Sequence, residues 1–264
     1  MRNLHIPLKA HPHCKINLGL HVLGKREDGY HDIDTIFVPV RSITDSLEIT
    51  ESDTPQMIQE GIELDSAAED NLCMKAWRLL HDEYGVPPVT IRLNKGIPYG
   101  AGLGGGSSDA AFTLQLLNRR YLRLSRFVLQ KLAARLGADC PFFLQQNIVR
   151  ATGRGDKLES LNPRVNLNGY RVVIEMPEGE HVSTKEAYEC LDHIPYNVSR
   201  RKLPYIVQQP VEEWRYLLVN DFEAAVFPSH PAIAELKYDM YRRGAVYASM
   251  TGSGAAVYGI FPEK

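Results

Sequence analysis

Long hydrophobic runs are missing from this chain. Within its 264 residues no apolar stretch approaches the roughly 20 residues that span a bilayer. The opening Met1-Arg-Asn-Leu-His-Ile-Pro7 carries no apolar signal core. The expected protein is soluble and cytoplasmic, with no membrane partner. An excess of one charge is missing as well: 30 Lys and Arg against 32 Asp and Glu leave a net charge of −2. No basic field is offered to nucleic acid, and no obligate protein partner is evident. Cysteine is scarce. The four, at positions 14, 73, 140 and 190, form no C-x-x-C pair and no ligand-like Cys/His spacing, which excludes a disulfide framework and reads as reduced thiols. His5, His11 and His13 lie near the start without the pattern of a structured metal site. The basic cluster Arg119, Arg120, Arg123 and Arg126 reads as the solvated end of a helix.

Glycine is concentrated in one place. Five of the seven residues from Gly100 to Gly106 are glycine, and Ser107, Ser108 and Asp109 follow at once. Such density strips away side chains and permits positive φ, so that backbone N–H groups can converge on one anion. Ala110, Ala111, Leu114 and Leu117 then recur at helical spacing. A strand pattern at Val89–Leu93 feeds the loop. A bare-amide loop leading from a strand into a helix N-terminus is the architecture of a phosphate site. No lysine follows Gly106, so the segment is not a Walker A loop. Gly100, Gly102 and Gly105 match G-x-G-x-x-G, but no acidic strand end follows about twenty residues on, as a dinucleotide fold requires. Ser107 and Ser108 read either as helix caps or as hydroxyls that reach phosphate or magnesium.

Cys14, Ile16, Leu18, Leu20 and Val22 alternate with Lys15, Asn17, Gly19 and His21, the pattern of a half-buried strand. Lys25–Gly29 is a turn centred on Asp-Gly, and strands at Ile33–Val40 and Leu47–Thr50 complete an opening antiparallel layer. Asp70 or Asn71 caps a helix that Gly85 and Pro87-Pro88 stop. The helix after the glycine loop runs to about Arg119, and another buries Leu129, Leu132 and Leu136. Asp139 is a candidate N-cap for a short helix with Pro141 in its first turn. Strands follow at 148–152 and 170–176, then a helix from Ser183 or Thr184, two or three helices over 211–243, and paired strands around Thr251-Gly-Ser-Gly254. The order predicts an α+β protein. A compositional dip at 155–168 marks the boundary between a first domain, 1–155, and a second, 156–264.

Taken together, Lys15-Ile-Asn-Leu18, Asp28-Gly-Tyr-His31, Gly102-Leu-Gly-Gly-Gly-Ser-Ser108, Gly137-Ala-Asp139 and Thr251-Gly-Ser-Gly254 resemble the GHMP kinase superfamily. Within it, they are similar to the 4-diphosphocytidyl-2-C-methyl-D-erythritol kinase family. The resemblance spans the chain from Lys15 to its last strand and implies a two-domain GHMP kinase fold with a cleft between mixed α/β layers. It implies ATP-dependent phosphorylation of the 2-hydroxyl of a cytidine-diphosphate-linked sugar alcohol, with Mg2+, in the non-mevalonate route to isoprenoids. Asp139 corresponds to the catalytic base and Lys15 to its electrostatic partner. Pro98, Gly100, Gly102, Leu103, Gly104, Gly105, Gly106, Ser107 and Ser108 correspond to the ATP loop. Tyr30 and His31 correspond to the cytosine site, Asn17 to a substrate contact, and Tyr188 to an opposite stacking face or a core aromatic. Such a reaction needs positioning and charge stabilisation more than covalent chemistry, which suits the residues present. Two rivals stay open: another alcohol kinase of the superfamily, of homoserine or mevalonate type, and a non-catalytic nucleotide sensor on the same fold.

Overall fold

The computed structural model describes residues 6–62, 70–145, 147–161, 165–197 and 202–263. His5 and part of the 155–168 dip lie outside the described residues. The strands are β1 (Leu8–Ala10), β2 (His13–Lys25), β3 (His31–Thr44), β4 (Ser46–Glu51), β5 (Gln56–Gly61), β6 (Val89–Lys95), β7 (Val149–Gly153), β8 (Lys157–Ser160), β9 (Tyr170–Glu175), β10 (Tyr247–Met250) and β11 (Val257–Pro262). The first five α-helices among the described residues are α1 (Leu72–Tyr84), α2 (Gly105–Leu117), α3 (Arg126–Leu136), α4 (Cys140–Phe143) and α5 (Thr184–Leu191). Contacts divide the chain into two units that interleave, unlike the linear division expected at 155/156. The first takes the chain up to Cys14, Arg41–Tyr99 and residues 104–146. The second takes Lys15–Val40, Gly100–Leu103 and everything from Asn147 onward.

In the first unit the sheet order is β1-β4-β6-β5, with β5 parallel to β6 and the other pairs antiparallel. The opening strands therefore do not form one layer. β4 belongs to this sheet, while β2 and β3 belong to another, because Leu47 and Ile49 face the same core as Ile91 and Leu93. Trp77, Leu80, Leu114, Leu117 and Leu129 of α1, α2 and α3 fill that core. Of the two caps expected for α1, Asp70 or Asn71, Asn71 is the one used: its side chain accepts from Cys73 N–H at 2.8 Å, a cap of the kind worth about 1 kcal/mol. Gly85 ends α1 in the left-handed conformation. α2 stops at Leu117, two residues short of expectation, and passes into a π-helical turn, Asn118–Leu122.

In the second unit one sheet runs β2-β3-β7-β8 and another β10-β11-β9. Leu20, Val22, Ile33, Phe222, Ile233, Met240 and Val257 share its core. Ser183 caps α5 through Glu186 N–H. β2 departs from the half-buried strand its alternation suggested. From His13 to Val22 both faces are buried. Lys15 is 4% exposed and Asn17 2%, so the polar face of β2 is an interior face whose charges require partners.

Candidate active site

The glycine loop is held differently along its length. In the second unit, Lys15 N–H donates to Leu103 O at 3.0 Å and Ala256 N–H to Ala101 O at 3.3 Å. Gly102 packs on Thr251-Gly252 so closely that a Cβ there would sit 2.1 Å from Thr251 O. In the first unit, the loop's end opens α2. Its N-cap is Gly104, left-handed at φ 71°, with no side-chain cap. The capping reading of Ser107 and Ser108 therefore does not hold. Both lie inside the helix, and Ser108 N–H already bonds Gly104 O at 2.9 Å. The first-turn N–H groups of α2 have no intrahelical acceptor, and the helix dipole favours an anion beside them.

Lys15 is bound rather than solvated. Its Nζ donates to Asn17 Oδ1 at 2.6 Å and lies 5.0 Å from the centre of the Phe37 ring. Asn17 is itself committed: Nδ2 donates to Thr35 Oγ1 at 2.9 Å, Oδ1 accepts from Thr251 Oγ1 at 3.2 Å, and its N–H donates to Thr251 Oγ1 at 3.0 Å. Tyr258 OH donates to Asn17 O at 2.8 Å. A lysine held this way has little rotamer freedom left to lose on meeting a further partner.

Asp139 stands at the N-cap position of α4, but its side chain makes no capping hydrogen bond. Its neighbour Cys140 is buried and shares a hydrogen bond with Ser107, while burial pushes the Cys140 thiol up to about 12. That removes the thiol as a nucleophile at neutral pH. It also brings the Gly137-Ala-Asp139 turn beside the first turn of α2, where a Cβ on Gly137 would lie 3.3 Å from Cys140 Sγ and 3.7 Å from Ser107 Oγ.

Tyr30, His31 and Tyr188 line one cavity of about 460 Å³, all within the second unit, together with Lys25, Arg154 and Asp192. The β2–β3 turn presents Tyr30: Asp28 Oδ1 accepts from Tyr30 N–H at 3.1 Å, and Arg26 N–H donates to Tyr30 O at 2.7 Å. Tyr30 is 57% exposed, with the Arg154 guanidinium 4.9 Å from the centre of its ring. Tyr188 stacks on His31 with ring centres 4.4 Å apart and meets Phe222 edge-on. Tyr188 both lines the cavity and packs against the core of the second unit.

Sequence reasoning missed a buried ionic staple at the loop. Lys95, at the end of β6, donates to Asp45 and, at 2.8 Å, to Asp109 in α2. Asp45 Oδ1 accepts from Gly96 and Ile97 N–H at 2.6 and 2.8 Å. The chain entering the loop and the helix leaving it are thus fastened to one ammonium. The signal was present: alternation along β6 puts Lys95 on the face of Val89, Ile91 and Leu93, and a lysine there requires buried carboxylates. Burial pushes the Asp109 carboxyl up to about 8, against the pull of Lys95, which Asp45 also claims. Folded Asp109 therefore holds a proton that an unfolded aspartate, near 3.8, releases. Its stabilising contribution is complete below the unfolded value and is lost as pH rises through the folded one. Stability of the wild type is expected to fall between about pH 4 and pH 8 more steeply than that of Asp109→Asn, which mimics the neutral carboxyl. Urea titrations of both across that range measure the difference; parallel curves would exclude a protonated Asp109.

The sequence matches the GHMP kinases N terminal domain over residues 71–147 and the GHMP kinases C terminal domain over residues 203–264. It is 47% identical over 257 residues to 4-diphosphocytidyl-2-C-methyl-D-erythritol kinase of Azobacteroides pseudotrichonymphae genomovar. CFP2, covering 96% of this chain and 93% of that one. The chain belongs to the 4-diphosphocytidyl-2-C-methyl-D-erythritol kinase family of GHMP kinases. The protein of that name from Porphyromonas gingivalis (strain ATCC 33277) is also 47% identical over 257 residues, covering 96% of this chain and 92% of that one. A crystal structure of 4-(cytidine 5'-diphospho)-2C-methyl-D-erythritol kinase superposes with a TM-score of 0.77 at 29% identity, covering 96% of this chain and 89% of that one. The expected GHMP kinase fold is borne out, and the protein is a small-molecule kinase with ATP as co-substrate. The uncapped α2 N-terminus and the buried Ser108 Oγ, which has no hydrogen-bond partner, suit a phosphate ligand. Among the described residues no cluster of three His, Cys, Asp or Glu side chains is placed to hold a metal. Also among the described residues, no helix is long and apolar enough to cross a membrane.

Proposed function

We propose that this kinase transfers the γ-phosphoryl group of ATP to the 2-hydroxyl of 4-diphosphocytidyl-2-C-methyl-D-erythritol, in the non-mevalonate route to isoprenoid precursors. The names of its relatives supply the substrate. The observation that carries the chemistry is Lys15: buried, presented by Asn17, and tied through its own N–H to Leu103 of the glycine loop.

In this reading the amides of Gly100–Gly106 and the α2 N-terminus cradle the phosphates, with Pro98 setting the approach. Asp139 accepts the proton of the substrate hydroxyl as its oxygen bonds to phosphorus. The bond from the γ-phosphorus to the bridging oxygen breaks, and ADP leaves. Lys15 acts as the electrostatic partner of Asp139 and offsets charge on the moving group. Asn17, expected at the substrate, acts through Lys15. Mg2+, when bound with ATP, supplies charge neutralisation, and Ser107 or Ser108 offers it a hydroxyl. Tyr30 and Tyr188 provide flat apolar faces and His31 provides polar edge contacts, which together suit a pyrimidine.

A coupled ADP-release assay with ATP and magnesium, run in parallel on the cytidine compound, mevalonate and homoserine, tests the substrate. Turnover confined to the cytidine compound is expected. Turnover of another alcohol instead would keep the fold and discard the pocket assignment. ATP binding without turnover of any of the three would favour the sensor reading.

A further inference from the structure

Asp192 belongs to no motif in the sequence, yet three donors converge on it. Lys25 Nζ reaches Oδ2 at 2.5 Å, while Tyr196 OH and His31 Nε2 reach Oδ1 at 2.5 and 2.7 Å. It sits at the C-cap of α5, the helix that carries Tyr188, and lines the same cavity as His31. The hydrogen bonds from Lys25, Tyr196 and His31 hold its carboxyl well below the usual carboxylate range. An ionised carboxylate only accepts. The hydrogen on the His31–Asp192 bond is therefore carried by Nε2, and in the neutral ring Nδ1 is left as a bare acceptor.

That choice of tautomer is a choice of base. The 4-amino group of cytosine donates and the 4-oxo group of uracil accepts. A ring with an unprotonated Nδ1 rewards the first and leaves the second facing a lone pair. We infer that Asp192 is a positioning residue that locks His31 in the Nε2–H tautomer and so makes the cavity select a 4-aminopyrimidine over a 4-oxopyrimidine. The inference rests on reading Tyr30 and His31 as the cytidine subsite.

Asp192→Asn is the informative change. The Lys25 ammonium can only donate, so it draws the new amide oxygen toward itself and turns the NH2 toward His31. Nε2 must then accept, and the ring proton moves to Nδ1. Tyr196 tolerates the exchange, because a phenol both donates and accepts. Long-range 1H–15N correlation spectra report the His31 tautomer, and calorimetric titration with CMP and UMP reports base selection without any need for turnover. Wild type is expected to show Nε2–H and to prefer CMP. Asp192→Asn is expected to show Nδ1–H, with the CMP preference lowered about tenfold or more, the scale of one lost polar contact to a ligand. ATP KM is expected to stay unchanged. Asp192→Ala, which leaves the ring unconstrained, is expected to weaken the preference without inverting it.

An Nδ1–H tautomer in wild type would overturn the inference, and needs no variant to detect. So would an unaltered CMP-to-UMP ratio in Asp192→Asn once its tautomer has switched. If wild type shows Nε2–H but binds neither nucleotide, the subsite reading is what fails, and base selection falls with it while the tautomer assignment stands. Equal loss of both nucleotides in Asp192→Asn would reduce Asp192 to a structural tether of α5.

Discussion

Asp139→Ala is expected to lower kcat by about 10²–10⁴-fold, the range a positioned general base contributes, while the ATP dissociation constant changes little. The asymmetry follows from where the carboxylate stands. It occupies the N-cap position of α4 without capping it, so its removal does not cost the helix a cap. The nearby packing is carried by Cys140 and Phe142, both fully buried, and by the Ser107–Cys140 hydrogen bond. Loss of stability is therefore not the expected cause of lost turnover, and a thermal melt run alongside separates the two. Asp139→Asn keeps the shape and removes the proposed base; it is expected to be nearly as inactive. Turnover at the wild-type rate in either variant would take Asp139 out of the mechanism.

Gly102→Ala is expected to be the most damaging single methyl in the glycine loop. The residue sits at φ 73°, and its new Cβ would lie 2.1 Å from Thr251 O and 3.0 Å from Thr251 C. Both neighbours are backbone, so the loop and the β10–β11 connection must part. Left-handed strain alone costs about 1–2 kcal/mol; the clash adds to it. The separation also pulls on the Thr251–Asn17 hydrogen bonds that present Lys15. The expected result is a lower melting temperature, a raised ATP KM and a lowered kcat together. Gly106→Ala is the control. Its Cβ would meet nothing closer than Leu72 Cδ1 at 3.7 Å, and alanine is the better helix former. Equal effects of the two substitutions would show that the loop tolerates no side chain for reasons other than this contact.

Much of the site is legible in local sequence because its physics is local. A run of glycine before a helix announces bare amides, and the Asp28-Gly29 turn announces that Tyr30 stands at a hairpin tip, where its exposure follows. The caps Asn71 and Ser183 are short-range hydrogen bonds and were readable for the same reason. Other features were legible in kind but not in state. The alternation along β2 marked a polar face, but whether that face met water or protein depended on what lay over it. Tyr258, Thr251 and Thr35 meet it, so the half-buried reading of β2 gave way to a fully buried one. The capping reading of Ser107 and Ser108 failed because Gly104 takes the cap, three and four residues earlier, a difference that spacing alone does not resolve.

The sequence by itself determined the family and the glycine loop that opens α2, since each is written in contiguous motifs. Tertiary structure alone decided the partners. Asp45 and Asp109 meet Lys95 across separations of 50 and 14 residues, and Asp192 meets His31 across 161. A charge in a low-dielectric interior is tolerated only when an opposite charge or a hydrogen bond meets it. The chain position of that partner is free so long as folding delivers it, and for that reason no local pattern records it.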